Sequence, residues 1–163
     1  MQPVTLNRSI TNGSALDPAE PPHIMPPYYG GLVVDTFIGD SGVSRIVELT
    51  VDEPALTGYA AFEGEHLSRA VFVNLDAWVV NSTGTRPSVH VDLDFVNGTT
   101  GGMTAAARRL VINHADDTQN LTWAGQSYEE TAEVSPTGEL EVETIDLAKG
   151  FDLRATEAIL LVF

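Results

Sequence analysis

Ser88-Val89-His90-Val91-Asp92-Leu93-Asp94-Phe95 carries the plainest structural signal in this chain. Val89, Val91, Leu93 and Phe95 fall on one face of an extended segment, and Ser88, His90, Asp92 and Asp94 on the other. Successive side chains of a strand point to opposite faces, so a period of two describes a strand with one buried and one wet face. The same period runs outward. Val47, Leu49 and Val51 alternate with Ile46, Glu48 and Thr50, and the runs from Tyr59 to Glu63 and from Leu67 to Leu75 flank a hairpin turn at Glu63-Gly64-Glu65-His66. Further strands are expected over residues 107–113, 120–124, 139–147, 151–155 and 158–163. Residues 103–109 have helix-forming composition, but the stretch is short and runs into Leu110-Val111-Ile112, so it is read as strand. About nine short strands punctuated by Asn-Gly, Thr-Gly and Lys-Gly predict a mainly β chain. The expected architecture is an antiparallel β-sandwich of about eight or nine strands over residues 43–163.

Ahead of the sandwich the pattern differs. The first 25 residues are rich in Pro, Ser, Asn and Asp and read as an extended loop. Pro26-Pro27 before Tyr28-Tyr29-Gly30-Gly31-Leu32-Val33-Val34-Asp35-Thr36-Phe37-Ile38, with Gly39 behind, predicts a helix over roughly residues 27–38. It is apolar nearly all round, so it needs more protein to bury it than the chain obviously provides.

Composition narrows the class. The chain has 163 residues, 43% hydrophobic and 19% charged, as expected of one globular domain with a substantial core. A net charge of −15 disfavours nucleic acid and anionic membrane surfaces as partners and suits solubility in an acidic or extracellular medium. No apolar run is long enough to span a membrane. The absence of cysteine excludes disulfides, thiol catalysis and cysteine zinc sites. Five asparagines, Asn7, Asn12, Asn81, Asn97 and Asn120, stand in Asn-x-Ser/Thr sequons, where about one is expected by chance. They are the expected glycosylation sites, and they place the chain in the secretory pathway. Its opening residues have neither the basic start nor the apolar run of a signal peptide. The expectation is therefore the later part, a fragment, of a longer secreted glycoprotein.

Four features invite a chemical reading. Gly39-Asp40-Ser41-Gly42 has the outline of a serine-protease nucleophile motif, but Val43 stands where that motif requires glycine, so it is read as a helix stop and turn. The histidines, His23, His66, His90 and His114, are too far apart for a metal site, and His90, Asp92 and Asp94 are read as a solvated strand face. No metal or cofactor is expected. Glu129, Glu130, Glu133, Glu139, Glu141 and Glu143 offer carboxylates of the kind glycosidases pair, yet Glu139, Glu141 and Glu143 alternate as the outer face of a strand. Trp78 and Trp123 are candidates for stacking on sugar, with the core as the preferred place for both.

Several stretches, read together, resemble one family. They are Pro26-Pro27-Tyr28-Tyr29-Gly30-Gly31 running to Ile38-Gly39, Val71-Phe72-Val73-Asn74-Leu75-Asp76-Ala77-Trp78, Arg86-Pro87-Ser88-Val89, Arg109-Leu110, Thr122-Trp123-Ala124-Gly125-Gln126-Ser127 and Ala158-Ile159-Leu160-Leu161-Val162. The chain is similar to the C-terminal part of glycoside hydrolase family 79 proteins, the β-glucuronidase and heparanase-like enzymes, in their fungal secreted form. The resemblance implies a (β/α)8 barrel followed by a β-sandwich. Residues 43–163 would be the sandwich, and residues 1–39 a remnant of the barrel's last strand, loop and helix. It also implies a barrel partner and substrates containing glucuronic acid. The two catalytic glutamates of such retaining enzymes match no residue here, so the chain is expected not to be catalytic by itself. The loop from Asn7 to Tyr29 would border the sugar site, with His23, Tyr28 and Tyr29 as candidate substrate-binding residues. The alternative is an independent carbohydrate-binding or interaction module that uses Trp78 or another exposed aromatic.

Overall fold

The computed structural model describes residues 7–10, 20–94, 103–129 and 135–163. A hairpin of β1 (Asn7–Ile10) and β2 (Glu20–Ile24) leads into α1 (Pro27–Ile38). Then follow β3 (Arg45–Glu48), β4 (Leu56–Glu63), β5 (His66–Asn74), β6 (Ser88–Val91), β7 (Thr104–Val111), β8 (Thr122–Trp123), β9 (Glu143–Asp146), β10 (Phe151–Arg154) and β11 (Ala158–Val162). The large sheet has the order β3-β4-β5-β11-β7-β8, antiparallel throughout, and β9 pairs with β7. β6 and β10 form a separate antiparallel pair.

Alternation along the central strands divides the interior in two. Phe72, Ala107, Ile159 and Leu161 turn one way and pack with Val91, Phe151 and Leu153 of β6 and β10, while Leu49, Val51, Val89 and Leu93 lie against this core. The rings of Phe72 and Phe151 meet edge to face at 5.5 Å between centroids. Ala61, Val71, Leu160 and Trp123 turn the other way and receive Tyr29, Val33 and Phe37 of α1. The large sheet is therefore the middle of three layers, and Ala158-Ile159-Leu160-Leu161 in β11 is buried on both faces.

The helix has an apolar circumference but needs only one stripe for the sheet. Tyr29, Val33 and Phe37 recur at every fourth residue and bury, each contributing about 1.5–3 kcal/mol. Val34 remains 54% exposed and Ile38 40%. The last turn carries no basic residue of its own. Arg69 of β5 supplies one, donating from Nε to the carbonyl of Phe37 at 2.8 Å and from a terminal nitrogen to that of Ile38 at 3.1 Å. A cation there satisfies orphan carbonyls and opposes the negative end of the helix dipole. Gly39 ends the helix at φ 73°, and a Cβ on it would lie 2.6 Å from the Arg69 guanidinium. Both facts require glycine.

The β1–β2 hairpin departs from the expected loop. Pro21 and Pro22 argue against a strand, since proline cannot donate to a ladder. The pairing avoids the conflict by shifting register between Arg8 and Ile10. Of the expected strand over residues 88–95, Ser88–Val91 pairs, and Phe95 lies outside the described residues. Residues 103–109 are read as strand from the sequence, and Thr104–Val111 forms β7.

Candidate functional site

Two polar clusters gather most of the stretches singled out from the sequence. The first lies at the start of α1. Trp123-Ala124-Gly125-Gln126 is a two-residue hairpin turn, closed by Trp123 N–H to the Gln126 carbonyl at 2.9 Å and Gln126 N–H to the Trp123 carbonyl at 3.0 Å. Its central residues have φ 50° and 76°. Two positive angles define the tight turn that matches strand twist, and glycine tolerates the second without strain. The reversal brings Ser127 and Tyr128 back under α1. The Tyr128 N–H donates to the Tyr29 hydroxyl at 2.8 Å, and Ser127 Oγ lies 3.3 Å from the same oxygen. Tyr28, Tyr29 and Tyr128 pack ring on ring, with centroids 5.4–6.3 Å apart.

Tyr29 is 0% exposed and Tyr28 half-buried. Burial raises both phenols above their ordinary pKa; at Tyr28 the neighbouring rings add to the rise, and at Tyr29 the bonds to Ser127 and Tyr128 partly oppose it. Both therefore act as neutral phenols. The Tyr29 hydroxyl already accepts one bond and faces a second partner inside the protein. The side chain of His23 lies outside the described residues; its backbone pairs with Arg8.

The second cluster closes the end of β5. Asn74, almost wholly buried, donates through its amide to the Leu153 carbonyl at 3.1 Å and accepts the Asp76 N–H at 3.0 Å. Thr156, at φ 71°, accepts the backbone N–H of Trp78 at 2.9 Å and donates to the Asp76 carbonyl at 3.0 Å. Arg86 donates to the Ala155 carbonyl from Nε at 2.9 Å. Burial lowers its pKa, with Glu157 opposing that shift. Glu157, 1% exposed, lies 2.7 Å from Arg154 and 3.8 Å from Arg86. Asn74, Asp76 and Trp78 thus meet Arg86 and the turn before β11. Every polar contact in this cluster holds chain to chain.

Trp123 is buried, as preferred, and Trp78 is half-buried beside an exposed Asn81. Asn120 is also exposed, at φ 64°. Glu129 holds that turn by accepting the N–H of Asn120 at 2.9 Å and of Leu121 at 2.7 Å. Asn12 and Asn97 lie outside the described residues, as does the side chain of Asn7. Asp40, Ser41 and Gly42 form an exposed turn after the helix stop. His90 stands on the outer face of β6, with Nδ1 2.7 Å from Asp152 and Nε2 3.4 Å from Asp92. Among the described residues no group of three His, Asp or Glu is arranged to hold a metal ion, and no helix is long and apolar enough to cross a membrane.

Sequence reasoning missed Arg69, which caps α1, and Tyr128, Thr156 and Glu157, which anchor these clusters. Arg69, Tyr128 and Thr156 act on distant parts of the chain, and Glu157 is local only in its pairing with Arg154.

A large antiparallel sheet covered on one face by a strand pair and on the other by a helix defines a mainly β domain. Residues 58–160 match the model of the glycosyl hydrolase family 79 C-terminal β domain, and the chain belongs to that family. It is 24% identical over 155 residues to a β-glucuronidase of Neurospora crassa, covering 78% of this chain and 26% of that one. With a β-glucuronidase of Aspergillus niger it shares 27% over 135 residues, covering 78% of this chain and 23% of the relative. The fold superposes with a TM-score of 0.71 on a 4-O-α-L-rhamnosyl-β-D-glucuronidase of Fusarium oxysporum solved as its Rha-GlcA complex. That match has 26% identity and covers 86% of this chain and 30% of the other. The chain thus spans about a quarter of the length of the curated relatives it matches.

Proposed function

We propose that this chain is the non-catalytic C-terminal sandwich of a secreted β-glucuronidase-type glycoside hydrolase, supporting a catalytic (β/α)8 barrel contributed by the rest of a longer polypeptide. The substrates of that enzyme would be glycans containing glucuronic acid. The observation that carries the reading is the family match over residues 58–160, in relatives about three-quarters of whose length lies elsewhere. The two polar clusters support it, because their side chains serve the architecture. Residues 1–39 would then be the barrel's last strand, loop and helix, with α1 turning Tyr29, Val33 and Phe37 to the sandwich. Tyr28, partly accessible at the helix entrance, is with His23 the residue placed to border the sugar cleft.

The test is hydrolysis of an aryl β-glucuronide by the purified chain. No turnover above buffer is expected, since loss of the catalytic carboxylates removes many orders of magnitude of rate. Turnover that disappears on one Glu or Asp substitution within this chain would overturn the accessory reading. Half-exposed Trp78 favours a second reading, a carbohydrate-binding module. Calorimetric binding of glucuronic-acid oligosaccharides that Trp78→Ala abolishes would establish it instead.

A further inference from the structure

We propose that the face of the large sheet carrying α1 is buried against the catalytic portion of the longer polypeptide, and that Arg108 pairs there with a carboxylate of that portion. This rests on the accessory reading above. The two outer surfaces of the three-layer fold differ sharply. The outside of the β6–β10 pair presents Ser88, His90, Asp92, Asp152 and Arg154, all exposed and polar, which is a surface made for water. The α1 side carries an apolar patch. Val34, Ile38 and Ile46 are exposed there and rim an open groove of about 280 Å³, floored by Tyr59, Val71 and Val73.

Arg108 lies on the same side. Its cross-strand neighbour in β11 is Leu160, which packs under α1, whereas Arg109 turns to the other face and binds Glu143. Arg108 is half-buried, and its guanidinium makes no hydrogen bond or ion pair among the described residues. In a chain of net charge −15 an unpaired guanidinium is conspicuous, and its planar fork suits a carboxylate from another surface. The helix adds a third observation. Gly30 and Gly31 have no atom within 4 Å of where a Cβ would stand, and neither has a positive φ. Each glycine in a helix interior costs about 1 kcal/mol relative to alanine. Nothing among the described residues requires them, and glycine is the residue that suits close approach by another backbone. The occupant is the rest of such a polypeptide, since this chain covers only about a quarter of the relatives it matches and the other three-quarters is available to cover the face.

The experiment replaces the matched C-terminal region of the Aspergillus niger β-glucuronidase with this chain and compares the fusion with the 163-residue chain alone. Val34→Asp and Arg108→Glu should raise the rate of thermal inactivation of the fusion about fivefold or more, yet leave the melting temperature of the isolated chain unchanged. Ser88→Asp, on the opposite surface, should be silent in both. An active fusion indifferent to Val34→Asp and Arg108→Glu would overturn the proposed surface and leave the accessory reading standing. A fusion that is active and equally stable with this chain deleted would overturn the accessory reading itself. Concentration-dependent dimerisation of the isolated chain, abolished by Val34→Asp, would assign the face to a second copy and overturn the proposal.

Discussion

Replacing Tyr29 by phenylalanine separates a structural role from a substrate-binding one, because it removes a single oxygen and keeps the ring. The ring would still pack against Tyr28 and Tyr128. The Tyr128 N–H would lose its acceptor at 2.8 Å and Ser127 Oγ its neighbour at 3.3 Å. A buried donor left unpaired costs about 1–3 kcal/mol. Tyr128 is only half-buried, so water can reach part of the vacated site and the expected loss is in the lower half of that range, about 1–2 kcal/mol. For a domain of this size that corresponds to a fall in melting temperature of about 2–8 °C. Urea unfolding followed by tryptophan fluorescence is the assay, with Trp123 as a nearby reporter. The midpoint should drop with the slope unchanged, and the Tyr128 amide should exchange faster with solvent. A Tyr29→Phe chain as stable as the parent, with an unaltered Tyr128 exchange rate, would refute the anchoring argument and return Tyr29 to the substrate-binding candidates.

Gly39→Ala should lower stability by about 1–3 kcal/mol, because φ 73° with ψ 179° is a backbone conformation essentially confined to glycine; an unchanged urea midpoint would count against the helix cap. The bond to Asp152, more than the charge of Asp92, raises the pKa of His90 above its ordinary 6.5. Its contribution is therefore fully present below the unfolded pKa and is lost as pH rises through the higher folded value. Denaturation midpoints measured across that window should show this loss in the wild type and not in His90→Asn. Expressed behind an added signal peptide in a eukaryotic secretory host, the chain should carry glycans at Asn81, Asn97 and Asn120. Intact-mass and peptide mapping that found all three bare would oppose the secretory assignment.

Elements whose signal is local were legible in the sequence. The β4–β5 hairpin was, because Gly64 supplies the turn at φ 64° between two runs of strand-forming residues. So was α1, whose proline start and glycine stop are chemical facts of single residues. What could not be read was which neighbour each element meets. Ala158-Ile159-Leu160-Leu161 has no alternation, since both faces bury, and its place between β5 and β7 depends on residues far away in sequence. An apolar helix circumference likewise reveals hunger for burial but not which stripe the sheet will take. Tyr28 and Tyr29 were singled out together, yet only distant Tyr128 and Ser127 distinguish them, by engaging one hydroxyl. Thr156 and Arg69 carried no local mark at all.

The position of β11 has a consequence for how the molecule is made. β11 follows β5 at a long distance in sequence yet lies beside it in the sheet, so β5 and β7 have no hydrogen-bonding partner between them until Ala158–Val162 has emerged from the ribosome. Until then Val71, Phe72 and Ala107 stand beside an open slot with two unpaired edges, a state that invites pairing with other chains. The topology is non-local and correspondingly slow to fold. In this interval β3, β4 and β5 can pair only with one another, as a ribbon whose β5 edge still lacks its neighbour.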